Sequence, residues 1–257
     1  MNFESQSFQP SAESMRIVED CAKTLSPEDR SLSALHDSYI ANHKSRIASD
    51  LDIARERVRQ DSAVLEVGSV PLLFTAALSA SNYNVTGIDI APERYKTTIE
   101  KTGIAVIKCD IEREKLPFTD NSFDAIFFNE LFEHLRINPI FTLSEVLRVM
   151  RPGGSLMLSS PNLRSLEGIL NFLIRNRAFS CSGNTYAEYQ KLERLGHMGH
   201  VREYTTREVI EFLENVGFVV VTVIYRGGFN AGVKQLMARL FPGLRPFVSY
   251  VAEKPRQ

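Results

Sequence analysis

The stretch Val64–Leu73, VLEVGSVPLL, decides the fold. An apolar run carrying an acid and closing on a glycine reads as a buried strand that opens into a loop. Loops that cradle a pyrophosphate carry two or three glycines, because the backbone itself must approach the phosphates. Here Gly68 stands alone, and Val70 and Leu72 fill positions that this fingerprint gives to small residues. Pro71 removes a backbone donor where a helix should start. A phosphate-bearing ligand is poorly served, whereas a nucleoside without phosphate asks less of the loop. Asp89, twenty-one residues beyond Gly68 in GIDI, can accept hydrogen bonds from both hydroxyls of a ribose.

Outward from that loop, short apolar runs alternate with helical patterns. AVLEVG, NVTGIDI, IAVIKCDI, FDAIFFN and SLMLSSP read as strands, with PLLFTAALSAS, PERYKTTIEKTG and PIFTLSEVLRVM as helices between them, the last stopped by RPGG. VVVTVIY and PFVSYVAEK add two final strands after TTREVIEFLENVGF, a helix with a Thr205/Glu208 capping box and Gly217 as its stop. The predicted fold is α/β: a doubly wound, Rossmann-like, seven-stranded and mostly parallel sheet with helices on both faces and an antiparallel last strand. Residues 1–60 read as a polar helical segment, with Ser26 as N-cap and Pro27 at the first helical position. Residues 61–161 read as the nucleoside-binding core, 162–204 as an inserted lid with a helix in LRSLEGILNFLIRNR and loop-like sequence after it, and 205–257 as the return to the core.

The 257 residues are 44% hydrophobic and 24% charged, with a formal net charge of −1, so the chain as a whole offers no field for nucleic acid. Cys21, Cys109 and Cys181 show no Cys-x-x-Cys spacing, which reads as reduced thiols rather than a disulfide frame or a zinc knuckle. No apolar run reaches the length of a membrane span, and MNFESQSFQPSAES lacks a basic-then-apolar leader, so a cytoplasmic location is expected.

Taken together, VLEVGS, VTGIDIAPER, IKCDIEREKLPFTDNSFDAIFFNELFEHL and LSEVLRVMRPGGSLMLSSPN resemble the class I S-adenosylmethionine-dependent methyltransferases over Val64 to Asn162. The resemblance implies S-adenosylmethionine as cofactor and NAD as no ligand. It implies that Glu66, Gly68 and Ser69 line the cofactor's tail and sugar, that Asp89 binds the ribose and that Ile90 lies against the adenine. It also implies that Asp110 meets the adenine amino group beside Ile111, that Asn129 closes the pocket and that Arg46 pairs with the cofactor carboxylate, a solvated helix charge being the alternative for Arg46.

Methyl transfer needs in-line placement and a deprotonated nucleophile. Glu130 and His134, with Glu133, follow the fourth strand at a spacing that shares one helical face. His197 and His200 lie in GHMGHVREY, a segment that can return over the site, and His134, Glu130 and His200 are the catalytic candidates. No metal is expected. The alternative is a likeness to metal-dependent methyltransferases of the 2′-hydroxyl at RNA 3′ ends, in which Glu130, Glu133, His134 and His200 would hold a divalent ion. A degenerate, non-catalytic binding domain is the third reading. The leading expectation is O-methylation of a small-molecule, glycan or lipid-linked acceptor. LRSLEGILNFLIRNRAF and VKQLMARLFPGLRP mix apolar with basic residues and read as a lid, or as a surface making peripheral membrane contact.

Overall fold

A computed structural model describes residues 1–195, 199–228 and 232–256. Its strands are β1 (Asn2–Gln6), β2 (Ala63–Val67), β3 (Asn84–Asp89), β4 (Ala105–Lys108), β5 (Phe123–Asn129), β6 (Met150–Pro161), β7 (Val219–Arg226) and β8 (Phe247–Glu253). Its helices are α1 (Ala12–Ala22), α2 (Ser33–Arg57), α3 (Leu73–Ala80), α4 (Lys96–Thr102), α5 (Pro139–Val149), α6 (Leu166–Arg175), α7 (Thr185–Leu195), α8 (Thr206–Val216) and α9 (Gly232–Leu240). The strands form one sheet in the order β1-β7-β8-β6-β5-β2-β3-β4, mixed but mostly parallel. Among the described residues it has eight strands where the sequence predicts seven. The extra one is β1, which pairs parallel with β7 from Asn2↔Thr222 to Gln6↔Arg226. That pairing is made by backbone groups, which leave no mark on the mostly polar sequence NFESQ.

The chain divides into two compact units. The first comprises Phe8–Phe127 and Arg148–Ser155. Its β2 pairs parallel with β3 along its whole length, and Val64–Glu66 pair with Ala125–Phe127 of β5. Val64 and Leu65 are fully buried, as expected of a parallel strand covered on both faces. Each such side chain contributes about 1.5–3 kcal/mol by leaving water. Phe74 on α3 meets Phe127 edge to face at 4.9 Å. Asp52 of α2 takes bonds from the Ser11 N–H and hydroxyl (both 2.7 Å) and the Ser14 hydroxyl (2.6 Å), tying α1 to α2. The helix expected from Ser26 begins later, at Ser33. Residues 26–28 bond elsewhere: the Thr98 hydroxyl donates to the Ser26 carbonyl (2.8 Å), the Glu28 N–H to the Arg94 carbonyl (2.7 Å), and the Thr97 N–H to the Glu28 carboxylate. RPGG, expected as a turn, lies inside β6, with Gly153 in the left-handed region at φ 76°.

The second unit comprises Met1–Ser7, Phe128–Leu147 and Leu156–Gln257. Here β8 runs antiparallel to β7, as the sequence predicts for the last strand. The capping box at Thr205 and Glu208 forms, and Gly217 closes α8 at φ 116°, a conformation side chains resist. Phe132 packs against Tyr204 at 4.6 Å and Phe212 at 5.2 Å. The loop expected after the inserted helix holds a second helix, α7, whose polar sequence TYAEYQKLERL hides its turn. Among the described residues no helix is long and apolar enough to cross a membrane.

Candidate functional site

In the first unit, β2 ends in Glu66 and Val67 and opens into residues 68–72. Gly68 and Ser69 both donate their N–H to the Ile88 carbonyl (2.8 and 3.1 Å). Val70 donates to Oδ2 of Asp89 (3.0 Å), Leu72 donates to the Ser69 carbonyl (2.6 Å), and Pro71 has no N–H. Every backbone donor of residues 68–72 is thus engaged within the protein, and none remains for a phosphate. The missing glycines suit this loop poorly to a pyrophosphate, and the engaged donors of residues 68–72 add a second reason. Ser69 is buried with its hydroxyl against β3, where a Cβ on Gly87 would meet Oγ at 2.7 Å, so Gly87 is required for that approach.

Asp89 offers the reverse. Its two oxygens accept one N–H each, Val70 at Oδ2 and Ala91 at Oδ1 (2.8 Å). A carboxylate oxygen has two lone pairs, so Asp89 keeps capacity for two more donors, which is what a ribose diol supplies. Burial raises its pKa, against the two backbone bonds. Glu66 accepts the Thr75 hydroxyl, and burial pushes its carboxyl up to about 8, the Thr75 bond opposing and the charges of Asp89 and Asp50 adding. Burial thus favours the protonated form of Glu66.

Asp110 is half-buried beside Ile111 and accepts the Glu112 N–H (3.2 Å), with Arg113 3.8 Å away. Ile90 is half-buried after β3. Arg46 on α2 is buried, so the alternative of a solvated helix charge is overturned. Its charge also bears on His43, whose pKa is pushed down to about 4, chiefly by burial.

In the second unit, Asn129 ends β5 half-buried. Glu130 follows in the left-handed region (φ 49°), its N–H on the Ser159 carbonyl (2.9 Å) and its Oε1 accepting the Ser159 hydroxyl (2.8 Å). The next turn is a single 3-10 turn, Phe132–His134. The helical face expected to unite Glu130, Glu133 and His134 does not form, because Glu130 is drawn to Ser159 outside that turn. His134 and His200 are brought together, ring centroids 4.8 Å apart and planes at 84°. The Glu133 carbonyl accepts the N–H groups of Val201 (2.9 Å) and Arg202 (3.3 Å), and His134 Nδ1 bonds the Gly199 carbonyl (3.0 Å), fixing the return of the chain. His197 lies outside the described residues.

Sequence reasoning gave no role to the residue that organises this region. Glu203 is buried and accepts the Ser180 hydroxyl, the Ser180 N–H (2.5 Å), the Cys181 thiol (3.2 Å), the Ser182 hydroxyl (3.0 Å) and N–H (3.3 Å), and Nδ1 of His200 (3.3 Å). Burial opposes its ionisation, but the bonds from His200, Ser180 and Cys181 outweigh burial and hold its carboxyl at about 2. A signal existed in HVRE: an acid three residues past a histidine. Nδ1 of His200 also lies 2.9 Å from the Ser182 hydroxyl. One ligand atom from each of Glu133, His134 and His200 lies within 4.8 Å of the other two, and the same holds for Cys181, His200 and Glu203. Imidazole with carboxylate is a donor set that suits a divalent metal.

Residues 65–158 match the methyltransferase-domain family. The chain is 36% identical over 94 residues to a 2-methyl-6-phytyl-1,4-hydroquinone methyltransferase of Synechocystis sp., covering 35% of this chain and 29% of that one. It is 30% identical over 117 residues to a ubiquinone biosynthesis O-methyltransferase of Xanthomonas campestris pv. campestris, covering 44% and 48%. In fold it is similar to a Haloferax volcanii methyltransferase solved in complex with an activator, at a TM-score of 0.59 and 16% identity over 87% of this chain and 95% of that one. The chain spans at most 56% of the length of the leading curated relatives. Residues 65–158 thus carry a methyltransferase domain, and the fold is similar to that of solved methyltransferases that depend on S-adenosylmethionine. Asp89, with its spare acceptor capacity, and a loop that offers no donor to phosphate both fit that cofactor.

Proposed function

We propose that the chain methylates an oxygen of a small-molecule acceptor, with sugars, glycans and lipid-linked compounds as the first class to test. The observation that supports this reading is the hydrogen bonding of His200. Glu203, ionised, can only accept, so the proton on the bond between them sits on Nδ1 of His200 and the ring presents Nε2 as its basic nitrogen. A hydroxyl acceptor must lose a proton, and an oriented imidazole is the usual group to take it. S-adenosylmethionine, when bound, supplies a methyl group already made electrophilic by its sulfonium. Asp89 would hold its ribose hydroxyls, and Glu66, Asp110, Ile90, Ile111 and Arg46 of the same unit would complete its surroundings.

His200→Ala should lower turnover by roughly 10²-fold, the usual size of a general-base contribution, and leave S-adenosylhomocysteine affinity unchanged by calorimetry. Normal turnover in that variant would remove His200 from the chemistry. A second reading, metal-assisted transfer, is favoured by the closeness of Glu133, His134 and His200. It predicts loss of activity with a chelator and recovery with manganese, to which a simple base would not respond.

A further inference from the structure

Two helices of the second unit carry the same unusual surface. α6 buries Gly168 and Asn171 and leaves Phe172, Leu173 and Ile174 exposed, the last two at 74% and 75%. α9 buries Ala238 and leaves Val233, Leu236 and Leu240 exposed, spaced along one helical face, with exposed Phe241 directly after. The Lys234 ammonium donates to Glu167 at 2.8 Å, joining α9 to α6. Scattered exposed apolar residues are normal, but a run of them on two joined helices marks a contact surface.

Charge says what the contact is. Arg164, Arg175, Arg177, Lys234 and Arg239 are exposed around these helices. Across residues 162–183 and 232–246 the one acid is Glu167, and Arg175 and Lys234 both engage it at 2.8 Å. The whole chain has a net charge of −1, so this cationic surplus is local to the apolar surface. Large apolar side chains flanked by Lys and Arg fit the boundary between lipid headgroups and acyl chains, where acidic headgroups attract the cations and the apolar groups leave water.

We propose that α6 and α9 form a docking surface for an anionic lipid bilayer, against which the protein lies without spanning it. The inference rests on these two helices and not on the methyl-transfer reading, and lipid binding is measured without turnover, so the two can fail separately. The full chain should pellet with vesicles of equal parts phosphatidylcholine and phosphatidylglycerol, should not pellet with phosphatidylcholine alone, and should bind less at high salt. Leu173→Glu combined with Leu236→Glu should lower vesicle affinity by about tenfold or more while leaving the melting temperature and S-adenosylhomocysteine affinity unchanged. Arg164→Glu with Arg239→Glu, which leaves the apolar residues in place, should also lower affinity for the anionic vesicles. A wild-type chain that stays in the supernatant with anionic vesicles would overturn the proposal, as would a leucine variant that pellets as well as wild type. A wild-type dimer that pellets with neither vesicle and is split by the leucine substitutions would reassign the surface to a second copy of the chain.

Discussion

Asp89 in the first unit and Glu203 in the second are both buried carboxylates that organise a loop, and they do so with opposite reserves. Asp89 stands at the end of a strand and holds the backbone at Val70 and Ala91 with half of its acceptor capacity. Glu203 is encircled: backbone, hydroxyl, thiol and imidazole groups of Ser180, Cys181, Ser182 and His200 all converge on it. An acid with spare lone pairs can receive a ligand, whereas an acid with its lone pairs filled by the chain can only hold the chain in place. The difference separates a binding residue from a positioning residue more clearly than burial, which the two share.

The sharpest way to break that contrast is Glu203→Ala. Removing a buried anion strands the donors that surround it, and the unfolding free energy in urea should fall by about 3–5 kcal/mol. A fall under about 1 kcal/mol would show that Glu203 is dispensable to the loop. Asp89→Ala should act on binding: calorimetry with S-adenosylhomocysteine should show affinity lost by about 1–3 kcal/mol, with NAD binding to neither protein. Tight NAD binding would contradict the engaged donors of residues 68–72. The smallest effect concerns Glu66. Its folded pKa, raised from 4.5 to about 8, gives stability that is present at low pH and lost as pH climbs through that window. The Glu66→Gln melting temperature should therefore vary less between pH 5 and pH 8 than that of wild type. Parallel curves for the two proteins would show that Glu66 titrates normally.

Much of the first unit was legible in the sequence because its signals are local. A buried strand, its loop and the acid at the end of the next strand fall within Val64–Asp89, and the capping box with Gly217 marks α8 as plainly in the second unit. What escaped was set by partners distant in the chain. Ser26 and Pro27 carry a helix-start signature, yet bonds from residues 94–98 hold that segment out of the helix. Glu130 was given a helical face by spacing and lost it to Ser159, twenty-nine residues away. Glu203 is conspicuous once Ser180–Ser182 surround it, and those three residues carry no motif that announces an acid more than twenty residues on.

The pairing of β1 with β7 bears on how the molecule avoids itself. β1 is the outermost strand at its end of the sheet, so Asn2–Gln6 cover a row of peptide groups that β7 would otherwise offer to any passing strand. The Arg245 guanidinium helps hold the cover down through the Ser5 hydroxyl, at 2.7 Å. A chain cut back beyond Ser7 would keep both the Asp89 and the His200 regions and yet expose Val219–Arg226, a β-branched run of the kind that templates aggregation. A short strand, four of its five residues polar, thus caps that edge of β7.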